Sequence, residues 1–132
     1  MIQAPAIIEF PEIGNSVLGY IAIAEKTNLP FEVKRVYWTY FTPENVERGG
    51  HAHRKLRQVI VAVAGTIKIT LVQGNGETSH FILDRPDQGL YLPEMIWRTM
   101  QYSHNAVQLC IASTEFDEKD YIRDYETFIK EC

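Results

Sequence analysis

Hydrophobic and polar positions alternate along most of the chain, and this period of two is typical of β-strands that bury one face. In residues 66–73, isoleucine and leucine at positions 67, 69 and 71 fall on one side, and threonine and lysine fall on the other. Residues 57–65 form a nearly continuous apolar run, which indicates a strand buried on both faces. Clusters of Gly, Pro, Asn and Asp separate these runs and mark turns.

The alternation predicts eight or nine short strands, with a turn signal about every 8–12 residues. This arrangement favours an all-β fold, either a sandwich or a barrel. The strand-like runs are residues 6–10, 17–25, 31–41, 57–65, 66–73, 78–84, 90–93, 96–103 and 106–113.

The period changes near the C-terminus, where the sequence predicts one short helix. Tyr121, Tyr125, Phe128 and Ile129 recur at i, i+4, i+7 and i+8, which gives a helix one apolar stripe. Asp117 precedes the stripe and is a suitable N-cap, since its carboxylate can accept a hydrogen bond from the first turn.

Composition and charge restrict the class of protein. A chain of 132 residues with 45% hydrophobic and 23% charged residues fits a single globular domain over 1–132. Its net charge of −4 argues against nucleic acid as a partner. No apolar run reaches about 18 residues, so no membrane partner is expected, and Cys110 and Cys132 have no metal-type spacing. We expect a cytoplasmic protein.

The candidate chemistry begins at a pair of histidines. His51 and His53 follow two glycines, and Gln58 and Gly65 follow at spacings that resemble the first motif of the cupin superfamily, whose fold is a jelly-roll barrel. Metal-binding cupins carry a glutamate where Gln58 stands, and a second motif supplies a further histidine where Arg98 stands here. A guanidinium has no lone pair to offer, so two ligands are missing and no metal is expected.

Longer segments make the resemblance specific. The stretches "PFEVKRVYWTYFTPENVERGGHAHRKLRQVIVAVAG", "GLYLPEMIWRTM" and "DEKDYIRDYETF" resemble the WxcM-like sugar-nucleotide 3,4-ketoisomerases over nearly the whole chain. That resemblance implies conversion of dTDP-4-keto-6-deoxy-D-glucose to the 3-keto sugar, without a cofactor, for the synthesis of 3-amino-3,6-dideoxyhexoses of bacterial surface polysaccharides. It also implies a homodimer with exchanged N-terminal strands, for which residues 6–10 are one suitable strand.

Five residues receive catalytic or binding roles. An imidazole with a pKa near 7 both takes and gives protons, so His51 suits the base, and the family's catalytic histidine falls on it. Tyr37 matches the family's active-site tyrosine and would help to move the hydroxyl proton. Arg35 shares a strand face with Tyr37 and would bind the diphosphate or stabilise developing negative charge. Arg48 matches the family and would line the same mouth, and His53 would form a second polar wall.

Further binding candidates come from the second motif. Tyr91, Trp97 and Tyr102 offer aromatic faces for thymine or sugar, although such residues more often fill a core. Arg98 resembles the branch of the family that gives the gluco-configured product. Leu18 stands where many relatives carry an arginine, and the family pattern links these two positions to the face of C4 that receives the proton.

Other functions fit the same residues. A C3 or C5 epimerase acting on keto sugars would use a similar acid and base, and a non-catalytic cupin would bind the sugar nucleotide without turnover. A metal-dependent oxygenase would need the ligands that Gln58 and Arg98 replace. Both histidines would also suit a purely structural role.

Overall fold

The all-β prediction with a short C-terminal helix is confirmed by the structure, a computed structural model that describes residues 4–132. Within residues 4–132, twelve strands precede the helix, and a single 3-10 turn, Glu118–Asp120, lies before the last strand. The strands are β1 Ala6–Glu9, β2 Glu12–Asn15, β3 Gly19–Ala22, β4 Arg35–Tyr40, β5 Arg48–His53, β6 Gln58–Ala64, β7 Ile67–Val72, β8 Thr78–Leu83, β9 Gln88–Leu92, β10 Trp97–Tyr102, β11 Val107–Ala112 and β12 Tyr121–Ile122, and the helix is α1 Tyr125–Glu131.

Two five-stranded antiparallel sheets form the body of the molecule. One has the strand order β1-β9-β6-β11-β4, and the other has the order β12-β5-β10-β7-β8. The remaining strands, β2 and β3, pair only with each other and form a separate hairpin. No helix among residues 4–132 is long and apolar enough to cross a membrane.

The space between the two sheets is apolar at one end and polar at the other. Ile60, Ile69, Leu71 and Leu90 are fully buried members of the main core, to which both sheets contribute. Polar side chains occupy the other end, where Arg98 is 1% exposed and His53 is 0% exposed. Because a lumen that is only core is filled with apolar residues, this polar end, which we call the cup, is the natural place to look for chemistry.

Three parts of the sequence interpretation were wrong. Residues 48–53 form a strand of their own, β5, which the sequence did not reveal because glycine and histidine replace its apolar positions. Residues 17–25 do not form one strand, since a turn at residues 16–18 joins β2 to β3. The predicted C-terminal helix is shorter, because Asp124 caps α1 whereas Asp117 caps the 3-10 turn.

Candidate functional site

A β-bulge aims the two histidines into the cup. His51 is the partner of Arg98 across the β5–β10 pair, and Gly49 is the partner of Thr99, so Gly50 is an extra residue on β5. Bulges of this kind bend a strand and re-aim the side chain that follows. His51 and His53 then lie on the same face, with ring centroids 5.0 Å apart.

Strand β4 supplies the opposite wall of the cup. Arg35, Tyr37 and Thr39 point inward, as the alternation predicts, and the residues between them are exposed on the outside. The Arg35 guanidinium lies 4.8 Å from the centroid of the Tyr37 ring and 5.7 Å from that of Phe116. Its Nε atom is buried and has no hydrogen-bond partner among residues 4–132, so a donor is left for a ligand.

The two positions that lack the expected metal ligands bond to each other. Arg98 Nη1 donates a hydrogen bond to Gln58 Oε1 at 2.5 Å, and Gln58 Nε2 donates to the thiol of Cys110 at 3.4 Å. Arg98 also donates from Nε and Nη2 to the carbonyl of Ile96, which fixes the plane of the guanidinium. Among residues 4–132, no group of three or more His, Cys, Asp or Glu side chains is arranged to hold a metal ion.

The segment after β11 closes the cup and brings in residues that sequence reasoning missed. Tyr121 is the partner of His53 in the β5–β12 pair, and its ring centroid lies 4.4 Å from that of His53 and 5.1 Å from that of His51. Phe116 packs 5.8 Å from Tyr121. The sequence analysis missed this role because Tyr121 has the spacing of the apolar stripe and was assigned to the predicted helix.

Arg54 anchors this closing segment. It donates to the backbone carbonyls of Lys119 at 2.7 Å and Tyr121 at 3.1 Å, and it forms a two-point ion pair with Glu131. Arg54 directly follows His53, so the strand that carries the histidines also holds the segment that covers them.

Asp120 makes the most extensive polar contacts of this segment. Its Oδ2 lies 3.1 Å from Nδ1 of His53 and accepts a hydrogen bond from the backbone amide of Leu56 at 3.2 Å. Its Oδ1 accepts a hydrogen bond from the backbone amide of Lys55 at 2.7 Å. The other ring nitrogen of His53, Nε2, is buried and has no partner within residues 4–132.

Both histidines are neutral at physiological pH. Burial, followed by repulsion from Arg98, lowers the pKa of His51 to about 4 and that of His53 to about 2. The pKa of His51 thus lies well below the value near 7 expected from the sequence, because the local sequence shows neither the burial of the ring nor the cation of Arg98 beside it.

The neighbouring groups keep their protons. Burial raises the pKa of Tyr37 far above its ordinary value, and the adjacent Cys110 raises it further, so the phenol is a donor at neutral pH. Burial lowers the pKa of Arg98 to about 10, which still leaves it charged. The cup therefore combines two neutral imidazoles, a protonated phenol and a buried cation.

Four other predicted residues lie away from this cluster. Tyr91 packs on Phe31 in a core on the outer face of the first sheet, and Trp97 packs against Tyr125 and Phe128 near the helix. Tyr91 is buried in its own chain, which argues against ligand stacking, whereas Trp97 is only partly buried and its role in ligand binding stays a prediction.

Tyr102 and Arg48, the other two of these four residues, lie in a core and at an exposed strand end, respectively. Tyr102 is buried and donates to Gln108 at 3.0 Å, as a core tyrosine does. Arg48 lies exposed at the start of β5, where its backbone pairs with Met100, and its role in substrate binding stays a prediction.

Leu18 is 85% exposed at the end of the β2–β3 hairpin, whereas Arg98 is 1% exposed. Since this hairpin pairs with neither large sheet, the chain does not place the two positions on one wall.

Comparison with known proteins places this geometry among sugar-nucleotide enzymes. The family model described as "FdtA: WxcM-like, C-terminal" matches residues 3–132. The TDP-4-oxo-6-deoxy-alpha-D-glucose-3,4-oxoisomerase of Aneurinibacillus thermoaerophilus is 40% identical over 125 residues, which cover 94% of this chain and 89% of the relative.

Two solved structures are similar over almost their full length. The sugar 3,4-ketoisomerase QdtA of Thermoanaerobacterium thermosaccharolyticum, in complex with TDP, is 35% identical with a TM-score of 0.92, and the match covers 99% of this chain and 96% of that one. The TDP-quinovose 3,4-ketoisomerase WlaRB of Campylobacter jejuni is 36% identical with a TM-score of 0.90, and the match covers 98% and 99%.

Proposed function

The chain belongs to the WxcM-like family, and we propose that it is a dTDP-sugar 3,4-ketoisomerase that converts dTDP-4-keto-6-deoxy-D-glucose to its 3-keto isomer. The observation that carries the proposal is the composition of the cup, where His51 and His53 lie side by side on β5, Tyr37 points inward from β4, and the buried cation of Arg98 acts on all three. We place the reaction in the cytoplasm, where its product would serve an aminotransferase that makes 3-amino-3,6-dideoxyhexoses.

The reaction moves two protons and needs no external oxidant. One proton leaves C3 and another arrives at C4, while the hydroxyl at O3 loses its proton and O4 gains one. The electrons of the C3–H bond form the C3=C4 double bond of an enediol, and those electrons then take up the proton at C4. At least one group must carry the carbon-bound proton, and at least one must serve the oxygens.

His51 is the proposed carrier between C3 and C4. Its low pKa keeps the ring unprotonated and available as a base. A bound diphosphate and a developing enediolate bring negative charge close to the ring, which raises its pKa as the proton arrives. The same imidazolium can then return the proton to C4.

Tyr37 is the proposed donor to O4. Its raised pKa keeps the phenol protonated, so it can give a proton to the oxygen that becomes a hydroxyl. Arg98 has three of its five N–H groups engaged within residues 4–132, and the other two can stabilise negative charge on the enediolate. Arg35, with its free Nε, is the proposed diphosphate ligand.

We favour the gluco-configured product. Arg98 closes one wall of the cup, and the 36% identity to a TDP-quinovose ketoisomerase supports the same configuration, since quinovose is 6-deoxyglucose. Leu18 lacks the early arginine of the other branch, but it is unusual here too, since this branch can hold a tyrosine at that position.

We also propose a homodimer whose exchanged element is the β2–β3 hairpin. Strand β1 pairs with β9 of its own chain, so residues 6–10 are a less suitable exchanged strand than predicted. The hairpin exposes large apolar side chains, and an isolated two-stranded hairpin is marginally stable in water. The exposed residues on it are Ile13, Val17, Leu18, Tyr20 and Ile21. A second copy would cover them and would bring Leu18 near a cup.

Product analysis by NMR in D2O tests the activity. Incubation with dTDP-4-keto-6-deoxyglucose should give a 3-keto sugar with deuterium or transferred hydrogen at C4, and His51→Asn should abolish turnover. His80→Asn changes an exposed histidine on β8 and is the matched control. Exchange at C3 or C5 with the 4-ketone retained would identify an epimerase instead, and binding without any turnover would identify a non-catalytic cupin.

A further inference from the structure

Asp120 fixes the chemical form of a histidine that has no contact with solvent. His53 is 0% exposed, and Asp120 is the one carboxylate among residues 4–132 that lies within 4 Å of its ring nitrogens. The carboxylate is itself held by two backbone amides of the turn that follows β5, those of Lys55 and Leu56. The backbone carbonyl of Asp120 also accepts from the amide of Arg54 at 3.0 Å.

This arrangement determines which ring nitrogen of His53 carries hydrogen. A carboxylate only accepts hydrogen bonds, so Nδ1, at 3.1 Å from Oδ2, is the protonated nitrogen. Burial and the nearby cations hold the pKa of His53 to about 2, so the ring carries a single proton. Its lone pair therefore lies on Nε2, at the opposite edge of the ring, which is buried and has no hydrogen-bond partner in the described part of the chain, residues 4–132.

We propose that Asp120 is a positioning residue for ketone migration, because it holds His53 with the Nε2 lone pair ready to accept the proton of the sugar's 3-hydroxyl once the Tyr121 ring, 4.4 Å from that of His53, moves aside for the substrate. This inference rests on the proposed isomerase function. In the step, the O3–H bond breaks, an Nε2–H bond forms, and the electrons left on O3 form the C3 carbonyl as the enediol double bond takes up a proton at C4. Tyr37 gives the proton that O4 requires and is reprotonated from His53, so no proton is gained or lost overall.

The substitution Asp120→Asn replaces a hydrogen-bond acceptor by a donor with little change in the shape of the side chain. One of the two side-chain oxygens becomes an NH2 group. The amide oxygen keeps the shorter hydrogen bond, that from the Lys55 amide at 2.7 Å rather than that from Leu56 at 3.2 Å, so the NH2 group takes the place of Oδ2. There it donates to Nδ1 of His53 and moves the ring proton to Nε2. Asp117→Asn is the matched control, since it removes a carboxylate from the same segment. Within residues 4–132, the side chain of Asp117 accepts one hydrogen bond, from the backbone amide of Lys119.

The test combines spectroscopy with kinetics on the full chain labelled with 15N-histidine. Long-range 1H–15N spectra of the wild-type protein should show His53 protonated on Nδ1 and unprotonated on Nε2. Asp120→Asn should lose that pattern and lower kcat roughly 100-fold or more, with KM changed less than about threefold, whereas Asp117→Asn should stay within about twofold of wild type. In a His53→Gln background, Asp120→Asn should add little further loss.

Two results would overturn the inference. One is a wild-type His53 with its lone pair on Nδ1, which needs no variant and so decides the matter even if Asp120→Asn fails to fold. The other is a folded Asp120→Asn that keeps wild-type kcat. Failure of the proposed function is a separate result, because it would appear as a wild-type protein that does not move the ketone, while the spectra would still report how Asp120 holds His53.

Discussion

Arg98 donates a hydrogen bond to Gln58 at 2.5 Å, and these two residues stand where metal-binding cupins carry a histidine and a glutamate. A guanidinium paired with an amide thus occupies the bottom of the cup. Burial and, after it, the positive charge of Arg98 lower the pKa of both His51 and His53. The buried cation of Arg98 therefore adds to the effect of burial at both imidazoles.

The first prediction concerns the pH dependence of the wild-type enzyme. Because the pKa of His51 is about 4 in the free enzyme, the base stays unprotonated down to low pH. We expect kcat/KM for ketone migration to stay level from pH 8 to about 5 and to fall with an apparent pKa near 4, since this ratio reports ionisation in the free enzyme. An acid limb near pH 6.5 would show that burial and Arg98 do not control the base.

Gln58→Glu tests the electrostatic role of Arg98. A carboxylate at this position would pair with Arg98 and offset its charge, so the repulsion that lowers the pKa of His51 would weaken. The acid limb of kcat/KM should move to higher pH, by roughly one unit. Gln101→Glu adds the same charge at an exposed position of β10 and should leave the limb in place. An unmoved limb in the Gln58 variant would assign the low pKa to burial alone.

Tyr37→Phe tests proton donation to O4. Removal of the hydroxyl should lower kcat by about 10²-fold to 10⁴-fold with a small change in KM, as expected for a lost general acid. Tyr40→Phe removes a hydroxyl from the outer face of the same strand, where the ring is 56% exposed, and should retain wild-type kcat. Equal kcat values for the two variants would exclude Tyr37 from the chemistry.

The sequence predicted one wall of the cup better than the other. On β4 the strict alternation placed Arg35 and Tyr37 on one inner face, and the structure has them there. Strand β5 was missed because its inner positions carry histidine, so no hydrophobic alternation marks it. The motif "HAH" nevertheless identified His51 and His53 without any strand assignment.

The closing segment could not be predicted from local pattern. Tyr121 fits a helix stripe, but it pairs with His53, which lies 68 positions earlier, and such a pairing leaves no short-range signal. The Asp120–His53 contact depends on the same pairing. Tertiary pairing thus overrode the local helical spacing, and α1 begins only at Tyr125.

The glycines before His51 provide a matched pair for testing the bulge. Both have positive φ, +88° at Gly49 and +69° at Gly50, so alanine costs about 1 kcal/mol or more at either position. A Cβ on Gly49 would also lie 2.8 Å from the Arg98 carbonyl oxygen, whereas a Cβ on Gly50 would meet no atom within 4 Å. The backbone at Gly49 therefore lies so close to β10 that a side chain there would collide with it, whereas Gly50 has open space.

We expect Gly49→Ala to lower the free energy of unfolding by about 3 kcal/mol and Gly50→Ala by about 1 kcal/mol, as measured by urea denaturation. Gly49→Ala should also lower kcat, because a displaced β10 changes the Arg98–His51 register. Equal losses of stability in the two variants would contradict the steric argument.

The proposed homodimer can be tested by a substitution on the outer face of β4. Val36, Trp38 and Tyr40 are 48%, 60% and 56% exposed on an edge strand, and such a row of large apolar side chains is typical of an interface. We expect the wild-type protein to sediment at twice its chain mass of 15.2 kDa. Trp38→Glu should weaken dimerisation by roughly 30-fold or more, since buried tryptophans are frequent hot spots. Ile82→Glu is the control, because Ile82 is also 60% exposed but lies on β8 of the other sheet.

If the exchanged hairpin completes the cup, Trp38→Glu should also lose activity in proportion to the loss of dimer. Activity that persists in the monomer would confine the site to one chain.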